Sequence, residues 1–264
     1  MRHAIRSEWT KLRRPGMLIG GVSSMVLVGV LGAVLGVAAA GGGSTDGPRA
    51  GDAISLAELR SVHGLGSALG QTTTLLGVVA LCLCAAALAG EFSTGTIRNM
   101  LVREPRRLRL LAGMTVGVLT FVAAITVVAL VLASAVAVAI ASAKGIDTSV
   151  WFGPAGLASL GRTTANLLLA TLGFGLMGAV LGVVLRSPVA AIGVGVAYAL
   201  PVEAILSATV GGVDRLLPGQ LLQDVAAGGA HSAPYAADVL TLAVYGTIAV
   251  VVAGVLFARR DVTS

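Results

Sequence analysis

LLAGMTVGVLTFVAAITVVALVLASAVAVAIASA, residues Leu110 to Ala143, runs for 34 residues without a charged side chain. A helix needs about 20 apolar residues to cross a bilayer core ~30 Å thick, so this one stretch suffices for a span. Five more charge-poor stretches surround it. They run from Gly16 to Thr45, Ser61 to Gly90, Thr163 to Leu185, Ser187 to Val213 (interrupted only by Glu203) and Val239 to Ala258. Six spans are predicted near 17–40, 69–90, 111–141, 163–185, 189–210 and 239–258. The fold class is an all-α integral membrane protein, one domain over residues 1–264.

Composition supports this. Hydrophobic residues make up 56% of the chain and charged residues 11%, with a mean hydropathy of +0.94. Soluble domains carry about a quarter charged residues. Too little polar surface exists here to cover a water-soluble globule, so lipid must cover much of it. No polar stretch is long enough to form a second, soluble domain. The first span resembles a signal peptide only in Ala38-Ala39-Ala40; its apolar run is too long, and Glu8 and Trp9 sit in the basic region before it.

The net charge of +6 comes from 18 basic and 12 acidic residues. Nucleic-acid binding would need a basic patch on a folded polar surface, whereas these basic residues cluster at the ends of apolar runs. No nucleic-acid partner is expected; the lipid bilayer is. Thirteen of the 18 fall on one side: Arg2, Arg6, Lys11, Arg13, Arg14, Arg98, Arg103, Arg106, Arg107, Arg109, Arg186, Arg259 and Arg260. Arg49, Arg60, Lys144, Arg162 and Arg215 fall on the other. The positive-inside rule then places both termini in the cytoplasm. The outer loops are 41–68, 142–162 and 211–238. The first holds a short surface helix near 54–69, and the third carries Leu216-Leu217-Pro218 and Leu221-Leu222, apolar enough to dip into the interface.

Chemistry is sparse. Cys82 and Cys84 stand two residues apart, on different helix faces and without nearby His or carboxylate, so packing fits better than metal binding. His3, His63 and His231 are scattered, and no nucleophile–base pair is read among the spans. A phosphate-binding loop needs Gly-Lys followed by Ser or Thr; Lys11 follows Thr10 and Lys144 follows Ala143. No catalytic residue, metal or cofactor is expected in this chain. Gly32-x-x-x-Gly36, Gly113-x-x-x-Gly117 and Gly178-x-x-x-Gly182 are read as close helix packing within the chain.

Three segments stand out. Residues 1–14 form an amphipathic interfacial helix, with Ile5, Trp9 and Leu12 on one face and Glu8 and Lys11 among the polar remainder; a plain membrane anchor explains the pattern equally. In the loop 91–109, Gly95 breaks the second span and Thr96 caps a short helix that Pro105 ends. Ile97, Met100 and Leu101 share one face of it, suited to a groove on a partner, and an ordinary positively charged inner loop is the plainer reading. Within the bilayer Glu203 carries a formal charge two residues after Pro201. Placing it there costs roughly 2.5–3.5 kcal/mol on insertion scales. It is either a polar contact in the transport path or a proton-linked switch, or else a carboxylate reaching water at a helix break near Arg215.

Ser7-Glu8-Trp9-Thr10-Lys11-Leu12-Arg13-Arg14 resembles the opening of ABC type-2 exporter permeases. Glu91-x-x-x-Gly95-Thr96-x-Arg98-x-x-Leu101, followed by Pro105-Arg106-Arg107, is similar to that family's loop after its second span. The resemblance implies an N-terminal elbow helix (Ile5, Glu8, Trp9, Lys11, Leu12) and a cytoplasmic coupling helix. Glu91, Gly95, Thr96, Ile97, Arg98, Leu101, Arg106 and Arg107 would lie at that helix. It further implies a multi-pass protein of a bacterial cytoplasmic (inner) membrane that pairs with a second, identical or homologous permease. ATP and Mg would sit on a separate ATP-binding cassette subunit, and the cargo would be a drug, antibiotic, lipid or peptide. Members often carry Lys or Arg where the third span begins; Gly113 stands there, with Arg109 earlier. The rival reading is a stand-alone secondary transporter or channel working through Glu203.

Overall fold

A computed structural model describes residues 15–40, 54–103, 106–210, 212–213, 216–229 and 234–259. Segment 1–14, with Ile5, Glu8, Trp9, Lys11 and Leu12, lies outside the described residues, as do Pro105, Arg215 and the side chain of Arg98. In chain order the helices are α1 (Pro15–Ala39), α2 (Leu56–Leu59), α3 (Gly64–Gly70), α4 (Thr73–Ser93), α5 (Thr96–Arg103) and α6 (Arg107–Ala143). There follow α7 (Pro154–Leu185), α8 (Pro188–Ala197), α9 (Glu203–Thr209), α10 (Pro218–Ala227) and α11 (Tyr235–Arg259). No strand occurs among the described residues. Among the described residues, six segments are long and apolar enough to cross a membrane: α1, α4, α6, α7, α8 continued into α9, and α11.

These helices outrun the charge-free stretches that predicted them. α6 takes in Arg107 and Arg109 and reaches 37 residues, and α7 begins at Pro154 and takes in Arg162. At ~1.5 Å per residue, α6 is about 55 Å long, well beyond a ~30 Å core. Absence of charge marks the part that lipid must cover, whereas the hydrogen-bonded helix continues past it.

α4 and α7 form the spine. Gly178 of α7 faces the backbone of Leu81 so closely that an added methyl would overlap the Leu81 carbonyl oxygen. One turn on, a methyl at Gly182 would sit 2.9 Å from the Ala85 carbonyl oxygen. Lipid is as apolar as these side chains, so close backbone approach and dispersion hold the helices together. α8 lies on both spine helices, and α6 pairs with α1. Hydroxyls in the spans close on their own helix: Thr126 donates to the Val122 carbonyl at 2.7 Å and Thr171 to that of Leu167 at 2.7 Å.

At the end where α3 lies, the expected surface helix near 54–69 becomes two pieces, and α3 is not on the surface. Leu65, Ala68 and Leu69 are buried, and Gly36 of α1 approaches the Ala68 backbone. α2 is capped by Ser55, whose hydroxyl accepts the Glu58 N–H at 3.1 Å. Buried Trp151 donates to the Leu59 carbonyl at 3.1 Å. Lys144 donates to the Val37 and Ala38 carbonyls at 2.7 and 2.9 Å, satisfying the carbonyl end of α1. α10 packs Leu221, Leu222 and Val225 onto the bundle, so the protein itself covers leucines that were expected to dip into the interface.

Gly178→Val drives a branched side chain into the α4 backbone and is expected to cost about 3 kcal/mol or more. Gly193→Ala, into open space on α8, is expected to hold or raise stability, because Ala is the better helix former by about 1 kcal/mol. Thermal melting in detergent followed by gel filtration measures both. Equal melting of the two variants would refute the spine.

Candidate functional site

α4 ends where Thr94 N–H donates to the Gly90 carbonyl and Gly95 N–H to that of Phe92, at 3.0 and 3.2 Å. Gly95 has φ +68°, a left-handed conformation that costs glycine nothing. Gly95 makes the reversal itself. Thr96, expected as the cap, is therefore already inside α5, its hydroxyl 2.6 Å from that of Thr94.

The apolar face of α5 is also used differently from the expectation. Ile97 is 1% exposed in the protein's own core, and Leu101 packs against that core half-buried. Met100 is half-buried as well. Asn99 and Val102 point the other way, Val102 being 85% exposed. A free helix in water can offer its apolar stripe to a partner; this one lies against a bundle that covers the stripe first. Glu91 is half-buried in the last turn of α4, and Arg106 is exposed. Arg107 donates to the Ala258 carbonyl of α11 at 3.3 Å.

Three residues that the sequence reading did not single out join this end of the bundle. The Phe92 ring meets Phe257 of α11 edge-to-face, with centroids 5.8 Å apart and planes at 85°. The Arg186 guanidinium stands 5.3 Å from the Phe92 centroid. Arg186 ends α7 in the left-handed region, φ 53°, with its N–H donated to the Gly182 carbonyl at 3.0 Å. Such pairs contribute about 0.5–1.5 kcal/mol each. Their partners come from three different spans, so no local periodicity announces them. Only their type, an aromatic or a cation at a span end, is visible in sequence.

Glu203 is 1% exposed. Pro201, which has no N–H to donate, sits in a π-turn at Tyr198–Val202. The turn delivers the Glu203 carboxylate to the start of α10. There Oε1 accepts the Gly219 N–H at 2.9 Å, and the Tyr198 hydroxyl and the Gln220 N–H also face the carboxylate. Pro218 has no N–H and the Leu217 side chain makes no cap, so Glu203 serves as the missing N-cap, favoured by the helix dipole. A methyl on Gly219 would overlap the carboxylate. Oε2 has no hydrogen-bond partner. The snorkelling account is thereby replaced: this carboxylate points at a helix N-terminus.

The fold also brings together His63 and Ser159, Nδ1 to Oγ at 2.7 Å, a nucleophile–base contact across 96 residues that the sequence reading did not find. Glu58 does not complete it; its Oε1 takes the Ser67 hydroxyl at 2.5 Å. The contact ties α3 to the start of α7. Cys84 is buried with its sulfur against Gly175 of α7.

Between α7 and α11 lies a groove of about 1020 Å³. Leu172, Leu176 and Val180 of α7 form one wall, and Leu242 and Gly246 of α11 the other. Leu119 of α6 and Pro218 and Leu222 of α10 line it as well. The groove exists because α11 is buried only near its ends, at Asp238 and at Ala253, Gly254 and Phe257.

These features define an all-helical chain that has, among the described residues, six segments long and apolar enough to cross a membrane. The chain belongs to the family described as Protein of unknown function (DUF2705), which matches residues 67–263. That match takes in α5, the Phe92 joint, Glu203 and the whole groove. No curated protein matches the chain.

Glu203→Leu leaves the α10 N–H groups unpaired and is expected to lower stability by about 1–3 kcal/mol, while Glu203→Gln keeps a carbonyl acceptor and costs less than about 1 kcal/mol. Gly219→Ala should behave like Glu203→Leu. Thermal unfolding ranks the three, and a Glu203→Leu protein as stable as the parent would remove the cap from the account.

Proposed function

We propose that this chain is the transmembrane permease of an ATP-driven ABC exporter, working with a separate ATP-binding cassette subunit and a second permease chain. The observation that carries the reading is the α4–α5 joint. A short helix follows the second span at a glycine reversal, is fixed to the bundle by Ile97, and shows Asn99 and Val102 outward. Its neighbour Phe92 touches the ends of α7 and α11, the two walls of the groove. A push on α5 therefore has a short route to a cavity that can hold cargo. The resemblance of the Glu91-to-Arg107 segment to the coupling loop of ABC type-2 permeases supplies the partner. The 13-to-5 distribution of basic residues supplies the side, with α5 cytoplasmic.

Glu91, Gly95, Thr96, Ile97, Arg98, Leu101, Arg106 and Arg107 keep a role at the joint, divided by burial. Ile97 and Leu101 seat the helix, Gly95 sets its angle, and Asn99 and Val102 join the surface offered to the ATPase. ATP and Mg belong to that subunit, and bond chemistry is assigned to it rather than to this chain. The rival reading, a secondary transporter or channel coupled through Glu203, is weakened because one oxygen of that carboxylate already caps α10.

Purification of the tagged protein from its native membranes in mild detergent should bring an ATPase subunit in stoichiometric amount. Val102→Glu should reduce that recovery about tenfold, an interface loss of ~1.4 kcal/mol, without lowering the melting temperature. A protein that comes alone at every detergent strength would end the exporter reading. Orientation is tested separately, with Cys82 and Cys84 replaced by Ala. An impermeant maleimide is expected to label Asp147→Cys on intact cells and to label Val102→Cys only after lysis; the reverse pattern would invert the topology.

A further inference from the structure

α6 and α11 meet at the end of the bundle where α6 begins. Arg107 donates to the Ala258 carbonyl at 3.3 Å, and a Leu108 methyl lies 3.4 Å from where a Cβ on Gly254 would stand. Beside this joint each helix turns a cation outward. Arg109 is exposed at the head of an α6 face that continues, two turns on, to exposed Val116. Arg259 is exposed at the end of an α11 face that runs back at helical spacing through exposed Val255, Val252 and Ile248. Each arginine thus closes an apolar stripe that the protein leaves uncovered, and the two stripes belong to neighbouring helices. Topology needs positive charge on one side of the membrane; it does not require arginines at these two places. The charge is also locally unfavourable. Arg106, Arg107 and Arg109 crowd the start of α6, where the helix dipole repels cations, and no acidic residue occupies its first turn.

We propose that the outward seam of α6 and α11 holds an anionic phospholipid, its headgroup at the level of Arg109 and Arg259 and its acyl chains along Val116, Val252 and Val255. Arginine offers a planar fork of donors that matches a phosphate. An acidic protein segment would meet the cations and leave the valine stripes bare, whereas a phospholipid supplies charge at one level and hydrocarbon below it. A zwitterionic lipid adds a cation that two arginines repel. The inference rests on the bilayer reading of the six spans and not on the exporter reading.

The test uses the full purified chain in a neutral detergent, without any ATPase. A fluorescent phosphatidylglycerol is titrated beside a fluorescent phosphatidylcholine with the same acyl chains. The anionic lipid is expected to bind saturably and about 25-fold more tightly, the scale of two arginines at a charged membrane surface. That preference should shrink as salt is raised. Arg109→Gln and Arg259→Gln should each cost about fivefold in anionic binding, and the double variant should abolish the preference, with phosphatidylcholine binding and melting unchanged. Arg162→Gln removes an exposed cation at the far end of α7 and should change nothing. Inorganic phosphate, exchanged for chloride at constant ionic strength, should not displace the lipid. Equal affinity for the two lipids would overturn the proposal, as would an Arg162→Gln loss equal to that of the seam variants. Displacement by phosphate would make this a soluble anion's site and overturn it too. A double variant that keeps the lipid preference but loses a co-purifying protein would assign the arginines to that protein instead.

Discussion

The backbone of α7 lies against the Leu81 carbonyl of α4 because residue 178 has no side chain. In water such a contact would be secondary to burying apolar surface. In lipid, where burial brings little gain, the distance of closest approach decides which helices adhere. Gly178 and Gly182 set that distance for α4 and α7, and the other spans are arranged around the result. α8 rests in the angle between them, with Gly195 letting Leu81 through. α6 brings α1, and Lys144 closes the carbonyl end of that pair. α11 has no comparable glycine contact along its middle and is held near its two ends. The groove follows from that difference.

How much of this was legible in the sequence depended on the range of the physics. Lipid acts on each stretch of chain by itself, so the six spans could be read from charge-free runs. Their ends could not, because the helices continue past the charge-free runs through Arg107, Arg109 and Arg162. Gly95 was legible as a breaker, since a positive φ after a helix is a local demand. The burial of Ile97 was not, because periodicity identifies an apolar face without saying what will cover it. Glu203 was recognised as an expensive residue. Its partner, a helix N-terminus sixteen residues on, was hidden because a backbone N–H leaves no mark in a sequence except the Pro218-Gly219 that frees it. Phe92, Arg186 and Phe257 meet only once three spans are packed.

α5 reaches the groove through the ends of α7 and α11, and that connection depends on unequal stiffness. α7 is locked to α4 over two glycine turns, so a force at its Arg186 end meets the whole spine. α11 is engaged through Phe257 and the Ala258 carbonyl and then stands free until Asp238. The same displacement of Phe92 must therefore move α11 more than α7. On the exporter reading this converts a push on α5 into a change in groove width, with α11 as the moving wall. The far end of that wall is Asp238, while Glu203 is held by the π-turn of the fifth span and by α10.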